Sequence, residues 1–527
     1  MTTITKTVEI NPTQLNFIDG TIFYGVNGRA IATVNTWGEF SSDLQLNQFV
    51  HSRGISGYQP TNRVASPGKF TFLLNNTSLN EGGVAGYYSP EHASAKGGFG
   101  TAAEVRIKYT STGDSGYKWR GKIHRIMPDP GPFKYTKVVA YDWMKIAQDQ
   151  KFKAITTTTD KRVDEAMTTV LASMATSSQP ASTSFATGKS TLPYVFDSER
   201  TEKTSIMAVF QKLALTEMGH VFVDSGDGDG ERLVFTNRHN ATEETTVQHD
   251  FDDNVVSVNV LYPIDAVRTR VISIVFPRET DDANLILAQS LEPFNIAVDD
   301  PRTIELLFRD LTTADRISAA STVTPIVSGT DFVANTQSDG GGANVTGNTT
   351  VTVAEESGNS IKLLCEYSGA GTAWLTTLQI RGKGIYTYDP VTYTAEDSDA
   401  EDQYGDRVLR YTMPYEDDFN VGVSFGDYLL SVWKDPVLQL RDLTYYPEEN
   451  DTLAQAFFDI DIGKRITVNI TQLGIDADYF VRKETVRLDK GKLKVSYGLE
   501  PAGSSVWMKL NDAVYGKLNA DECKAAF

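Results

Sequence analysis

The chain has 527 residues, 40% hydrophobic and 22% charged, which is too long for one hydrophobic core, because single cores stop growing at roughly 250–300 residues. Its 49 Lys+Arg against 68 Asp+Glu leave a net charge of −19, and that argues against a nucleic-acid clamp, which needs a basic surface to displace phosphate counterions. Two cysteines, Cys365 and Cys523, are too few for a disulfide framework.

Met1 to Lys6 lack the apolar core of a signal peptide. No apolar run approaches the roughly 20 residues of a membrane span. The expectation is a soluble chain made in the cytoplasm. Most of the sequence then reads with a period of two. Lys69 to Leu74 alternates and stops at Asn75-Asn76, and Val105 to Tyr109 alternates up to the turn cluster Ser111 to Gly116. Lys118 to His124 resumes the pattern, and Lys137 to Tyr141 follows the break Pro128-Asp129-Pro130-Gly131-Pro132. Alternating strands with Gly, Pro, Asn and Asp punctuation predict a sandwich or barrel. Residues 1–150 are read as one all-β domain.

The pattern changes near residue 160. Val163, Ala166, Met167, Val170, Leu171 and Met174 line one face of an amphipathic helix, with Asp164 and Glu165 in its first turn. Thr176 to Thr191 is expected to be a long loop. A second helix carries Ile206, Val209, Phe210 and Leu213 and is expected to end at Gly219. His220 to Asp224 and Arg232 to Thr236 then flank a run of turn residues, a hairpin. Residues 156–253 are an α+β module.

From about residue 256 the chain is β again. The stretch 290–382, with Gly/Asn/Thr/Ser-rich loops around Thr349 to Val353 and Ser360 to Leu364, is read as an inserted β-sandwich. The acidic run Glu396 to Asp402 is expected to be a solvated loop. Tyr428, Leu429, Leu430, Val432 and Trp433 predict a short helix closed by Pro436. Arg465 to Ile470 is a strand, and Tyr479 to Leu488 with Lys492 to Leu499 is a hairpin turning at Asp489-Lys490-Gly491. The fold class is mainly β and multidomain.

Chemistry finds little purchase. Ser225, Asp227, Asp229 and Gly230 echo the start of a calcium loop, but the acid required at its twelfth position falls on Thr236. The strands on both sides favour a turn. His51, His92, His124, His220, His239 and His249 show no metal-ligand spacing. Cys365 sits in an apolar run, which favours a buried inert thiol over a nucleophile. The glycines of Gly97-Gly98-Phe99-Gly100 precede no helix pattern and read as a loop. No nucleophile elbow, phosphate loop or dinucleotide fingerprint is present. The expectation is a binding or structural protein, not an enzyme, with no catalytic, cofactor-binding or metal residues and no cofactor.

The order of elements over residues 67–150 does carry a resemblance. Pro67 to Asn76, Tyr87-Tyr88-Ser89-Pro90, Glu104 to Ile107, Trp119 to Ile123, Pro128 to Pro132 and Ala140 to Met144 follow one another. This series resembles the minor tail proteins that form the tail-tip baseplate hub of bacteriophages with long non-contractile tails. The helix to Leu213, the Asp-Gly hairpin and Asn237-Arg238 are similar to that family's middle module. Asp459 to Val468, Tyr479 to Val481 and Lys490 to Pro501 resemble its closing strands.

The resemblance implies two tube-like β-barrel regions, at 1–150 and at 254–289 with 383–502, plus a C-terminal tail at 503–527. It implies a homotrimer that caps the tail tube, since three subunits with two barrels each match a hexameric tube. The implied partners are tail tube and distal tail proteins, the tape measure protein, and tail fibre or receptor-binding proteins. Genomic DNA would pass through the channel without specific binding, and the acidity predicts a bore richer in Asp and Glu than in Lys and Arg. The implied location is the tail tip of the virion. Two other readings compete: a distal tail or receptor-binding tail protein, and a secreted carbohydrate-binding or carbohydrate-cleaving β-protein.

Overall fold

The computed structural model describes residues 3–11, 37–57, 59–153, 155–199, 203–226, 228–313, 317–436, 439–489, 491–502, 507–508 and 524–525. Asp227, Cys523 and most of the expected tail at 503–527 lie outside the described residues. The fold is mainly β and multidomain.

Its largest element is a 13-stranded sheet that mixes both ends of the chain. From one edge the order is Ser257–Leu261, Gln439–Tyr445, Lys492–Pro501, Ile475–Asp489, Leu44–Gly54, Ser66–Asn75 and Tyr135–Tyr141. It continues through Ser115–Pro128, Glu104–Thr110, Thr5–Asn11 and Gly38–Glu39. Arg465–Ile470 pairs with Ile475–Asp489 and with Val247–Phe251 as a side branch. Among the described residues no sheet closes on itself. The decisive pairing is antiparallel, Lys483 opposite Gly54 through Arg487 opposite Val50. Alternation drives it: Val105, Ile107 and Tyr109 point inward on one strand, and Val486 and Leu488 do so on another. One core results, in which Phe70, Ile107 and Trp119 are grouped with Leu443, Val486 and Tyr497. Burying side chains of this size stabilises by roughly 1.5–3 kcal/mol each.

The α+β module packs helices Val163–Ala172 and Ile206–Glu217 on the hairpin His220–Asp224 and Arg232–Thr236. Farther along, strand Thr372–Thr387 organises a six-stranded sheet, and Arg302–Leu307, Ser360–Tyr367 and Thr349–Ser357 form a three-stranded one. Leu287, Phe332, Leu363 and Leu375 of these two sheets share a core. A separate sheet of Val391–Glu396, Arg270–Val275 and Val408–Thr412 carries helix Phe419–Trp433. Among the described residues no helix is long and apolar enough to cross a membrane.

Several local expectations are corrected. Of the acidic run Glu396 to Asp402, the part from Ser398 onward is a helix, Ser398–Tyr404, because the Asp397 side chain accepts from Ala400 N at 2.9 Å and acids suit a first turn, while Glu396 ends strand Val391–Glu396. The predicted loop after Thr176 contains strand Thr183–Phe185, which pairs in parallel with Arg232–Thr236. Met218, with φ 55°, takes the left-handed position expected of Gly219. Gly219 is needed for room instead: a Cβ there would lie 2.3 Å from the Thr236 carbonyl. The helix expected near Tyr428 begins at Phe419, capped by Asp418. Gly422 and Gly426 are weak helix formers, yet they let the helix approach Val275 and Ser273 of the sheet beneath.

Candidate functional site

The place where chain-distant segments meet is a buried ionic seam. Arg53 lies near the end of strand Leu44–Gly54, and its guanidinium donates to Asp461 at 2.7 Å and to Glu484 at 2.9 Å. The Arg53 and Glu484 side chains are almost wholly shielded from solvent. Asp461 also accepts from Ser225 N at 2.9 Å and from the Ser225 hydroxyl, which brings in the α+β hairpin. Lys118 donates to the carbonyls of Ile460 at 2.8 Å and Phe458 at 3.0 Å. One cluster thus ties the first β region, the module and the C-terminal strands together.

Electrostatics keep it charged. Burial alone would lower the Arg53 pKa, but Asp461 and Glu484 outweigh that and raise it. Burial would raise the Asp461 carboxyl, and Arg53, Lys118 and the Ser225 hydrogen bonds hold it below its ordinary value. Beside them His51 is pushed well down by burial and by Arg53 and Lys118, so it is neutral, with Nε2 2.8 Å from the Tyr109 hydroxyl.

Across the same seam lies a cavity of about 420 Å³ between the sheet and the module. Arg120 and Glu104 face it, paired at 3.0 Å, and Lys122 reaches the Ser177 carbonyl at 3.2 Å. Asp142 also lines it while capping helix Trp143–Asp149: its Oδ1 accepts from Met144 N and, at 2.8 Å, from Gly68 N. Asp142 Oδ2 is buried with no hydrogen-bond partner. Glu231 lies next to the hairpin strand, 8% exposed, with Arg120 Nε 3.8 Å away.

Burial pushes Asp142 up to about 7 against the hydrogen bonds from Gly68 and Met144. Burial likewise pushes Glu231 up to about 8, against the pull of Arg120 and with repulsion from Asp142 and Glu104. Between about pH 4 and pH 8 the folded chain therefore holds protons that the unfolded chain has released. Stability falls as pH rises through that window, and the penalty is complete above it. Glu231→Gln keeps the shape and removes the charge. It should melt above the parent at about pH 9, by roughly 1–3 kcal/mol, and match it near about pH 5. A variant less stable than the parent at the alkaline end would contradict this account of Glu231.

The residues weighed for chemistry in the sequence are scattered. Ser225 belongs to the ionic seam, and Asp229 contacts Arg106 and Arg120, each at 3.4 Å. Gly230 packs against the Trp119 backbone. His220 contacts Arg63 at 3.0 Å, His124 stacks edge-on to Tyr141, and His249 does so to Phe251. Ser94 N donates to the His92 ring, and His239 N donates to the Asn237 side chain. Among the described residues no three His, Cys, Asp or Glu side chains are placed to hold a metal. Cys365 is buried and its thiol is pushed up to about 11 by that burial. Sequence reasoning missed Arg53, Asp142, Glu231, Asp461 and Glu484. Only Asp142 left a signal, as an acid directly before the helix-forming run Trp143 to Ala147.

No protein-family model matches the chain, and no curated protein matches it. Among solved structures it is similar to the tail protein from Neisseria meningitidis MC58, at 8% identity over 94% of this chain and 96% of that one, TM-score 0.47. It is similar to the 43 kDa tail protein of prophage MuSo2 from Shewanella oneidensis, at 8% identity over 94% and 98%, TM-score 0.46. Prophage tail protein gp18 from Listeria monocytogenes aligns at 9% identity over 89% and 93%, TM-score 0.39.

Proposed function

We propose that this chain is a structural subunit of a bacteriophage tail, at the tail-tip hub that caps the tube of a long non-contractile tail. The observation that carries this reading is the join between the chain's two β regions. Strand Leu44–Gly54 pairs with Ile475–Asp489, and the two regions share one core and one buried ion cluster. A tube cap has to present two tube-like regions side by side in a fixed orientation. A continuous sheet fixes that orientation, whereas a linker would leave it free. The ordered motifs from Pro67 to Met144 support the same family.

In this reading the two regions are tube-like barrels, and three copies form a ring of six that meets the tube and distal tail proteins. The role is assembly without catalysis, and genomic DNA passes through without being held. The test is gold labelling of intact particles with antibody raised against the purified chain. Label confined to the distal end of the tail is the expected result. Label along the tube, on the head or on no particle would overturn the reading.

A further inference from the structure

The sheet organised by strand Thr372–Thr387 carries a row of side chains that its core does not use. Between Thr372 and Leu378 this strand pairs with Phe294–Ala297 on one side and with Phe332–Asn335 on the other. Ala373 and Leu375 point into the core, opposite the buried Ile296 and Ala334. Side chains alternate along a strand, so Trp374 between them points to the outer face. There it lies directly opposite Asn295 on one neighbour and Asn335 on the other.

The Trp374 side chain is partly exposed, and among the described residues no ring, cation or hydrogen-bond acceptor engages it. Trp119 and Trp143, by contrast, are buried, and Trp37 stacks on the Arg106 guanidinium at 4.0 Å. The Asn335 amide is fixed, its Nδ2 donating to the Thr376 hydroxyl at 2.9 Å. Asn295 is partly exposed, and its side chain makes no hydrogen bond among the described residues. An indole face between two amides offers apolar area at its centre and donors and acceptors at its rim. Asn295, Trp374, Asn335 and Thr376 carry no charge, so they select neither a phosphate nor an ammonium group. An apolar side chain would leave the amides without partners. A pyranose ring with equatorial hydroxyls has the matching arrangement, with C–H groups on its faces and hydroxyls around its edge.

We infer that this outer face binds a neutral saccharide chain, one pyranose ring stacking on Trp374 while Asn295 pairs with the ring's hydroxyls. The inference rests on this sheet alone and is independent of the tail-hub reading. Strand pairing on both sides of Trp374 holds the platform in place before the ligand arrives, so little ordering is left for binding to offset. One stacked ring with a few hydrogen bonds holds its ligand weakly, with a Kd of about 1 mM.

The test is calorimetric titration of the full chain with the β-linked tetramer of N-acetylglucosamine, whose ring substituents are all equatorial. Saturable binding is the expected result, with none for sorbitol, which carries the hydroxyls without a ring face. Trp374→Ala should weaken binding by about tenfold or more, through the lost stacking area. It should also melt close to the parent, since Trp374 stands outside the core shared by the two sheets. Asn295→Ala should weaken binding by roughly threefold to tenfold, the loss of a hydrogen bond. No saturable binding, equal binding of sorbitol, or parental affinity in Trp374→Ala would overturn the assignment. If Trp374→Ala does not fold, Asn295→Arg decides instead, because its long side chain covers the neighbouring indole. Binding should then be lost, and parental affinity would overturn the assignment.

Discussion

Replacing Arg53 with alanine should unfold the join between the two β regions. The substitution leaves Asp461 and Glu484 facing each other's surroundings without the guanidinium that lies 2.7 and 2.9 Å from them. Both acids are largely shielded from water, so solvent cannot replace the lost charge. Removing one partner of a buried ion pair typically costs about 3–5 kcal/mol. That is a large share of the stability of a domain. Thermal melts and soluble yield measure it, with Arg162→Ala as the comparison. Arg162 makes solvent-exposed contacts with Asp164 and Glu165, so its loss should leave the melt close to that of the parent. Similar losses for the two variants would remove the seam from the account.

Gly54→Ala should be nearly as severe, for a reason of space. Gly54 has φ 108°, a conformation that L side chains rarely adopt, and a Cβ there would lie 2.3 Å from the Arg482 carbonyl oxygen and 2.9 Å from Lys483 Cα. Those neighbours are backbone of the partner strand, so relief requires the two strands to separate. The combined strain and clash should cost on the order of 3 kcal/mol. Hydrogen exchange should show the loss first in Leu44–Gly54 and Ile475–Asp489. Gly113→Ala is the control, since a Cβ there meets nothing within 4 Å. Unchanged protection of the two strands in Gly54→Ala would show that the join is not where stability resides.

What could be read from the sequence follows from the range of the interactions. The amphipathic face from Val163 to Leu171 and the hairpin closing Ile475–Asp489 onto Lys492–Pro501 are local, and both were legible as periodicity. Helix Phe419–Trp433 was only half legible, because Gly422 and Gly426 signal a break unless the sheet they approach is known. The pairing of Leu44–Gly54 with Ile475–Asp489 has no local signal at all. Arg53, Asp461 and Glu484 are charged residues that a sequence presents as surface. Only the join buries them. Asp142 and Glu231 acquire their raised pKa values from walls contributed by distant strands and loops, which no spacing encodes.

The number of copies in an assembled tail tip tests the tail-hub reading most directly. On that reading the chain would bring two tube-like regions, fixed to each other through one sheet, to a hexameric tube as three copies around a closed ring. Mass measurement of isolated tips, or symmetry in their averaged images, should give three copies per tip, with the two β regions of each subunit taking alternate places in a ring of six. Six copies per tip would contradict the reading and favour a distal tail protein.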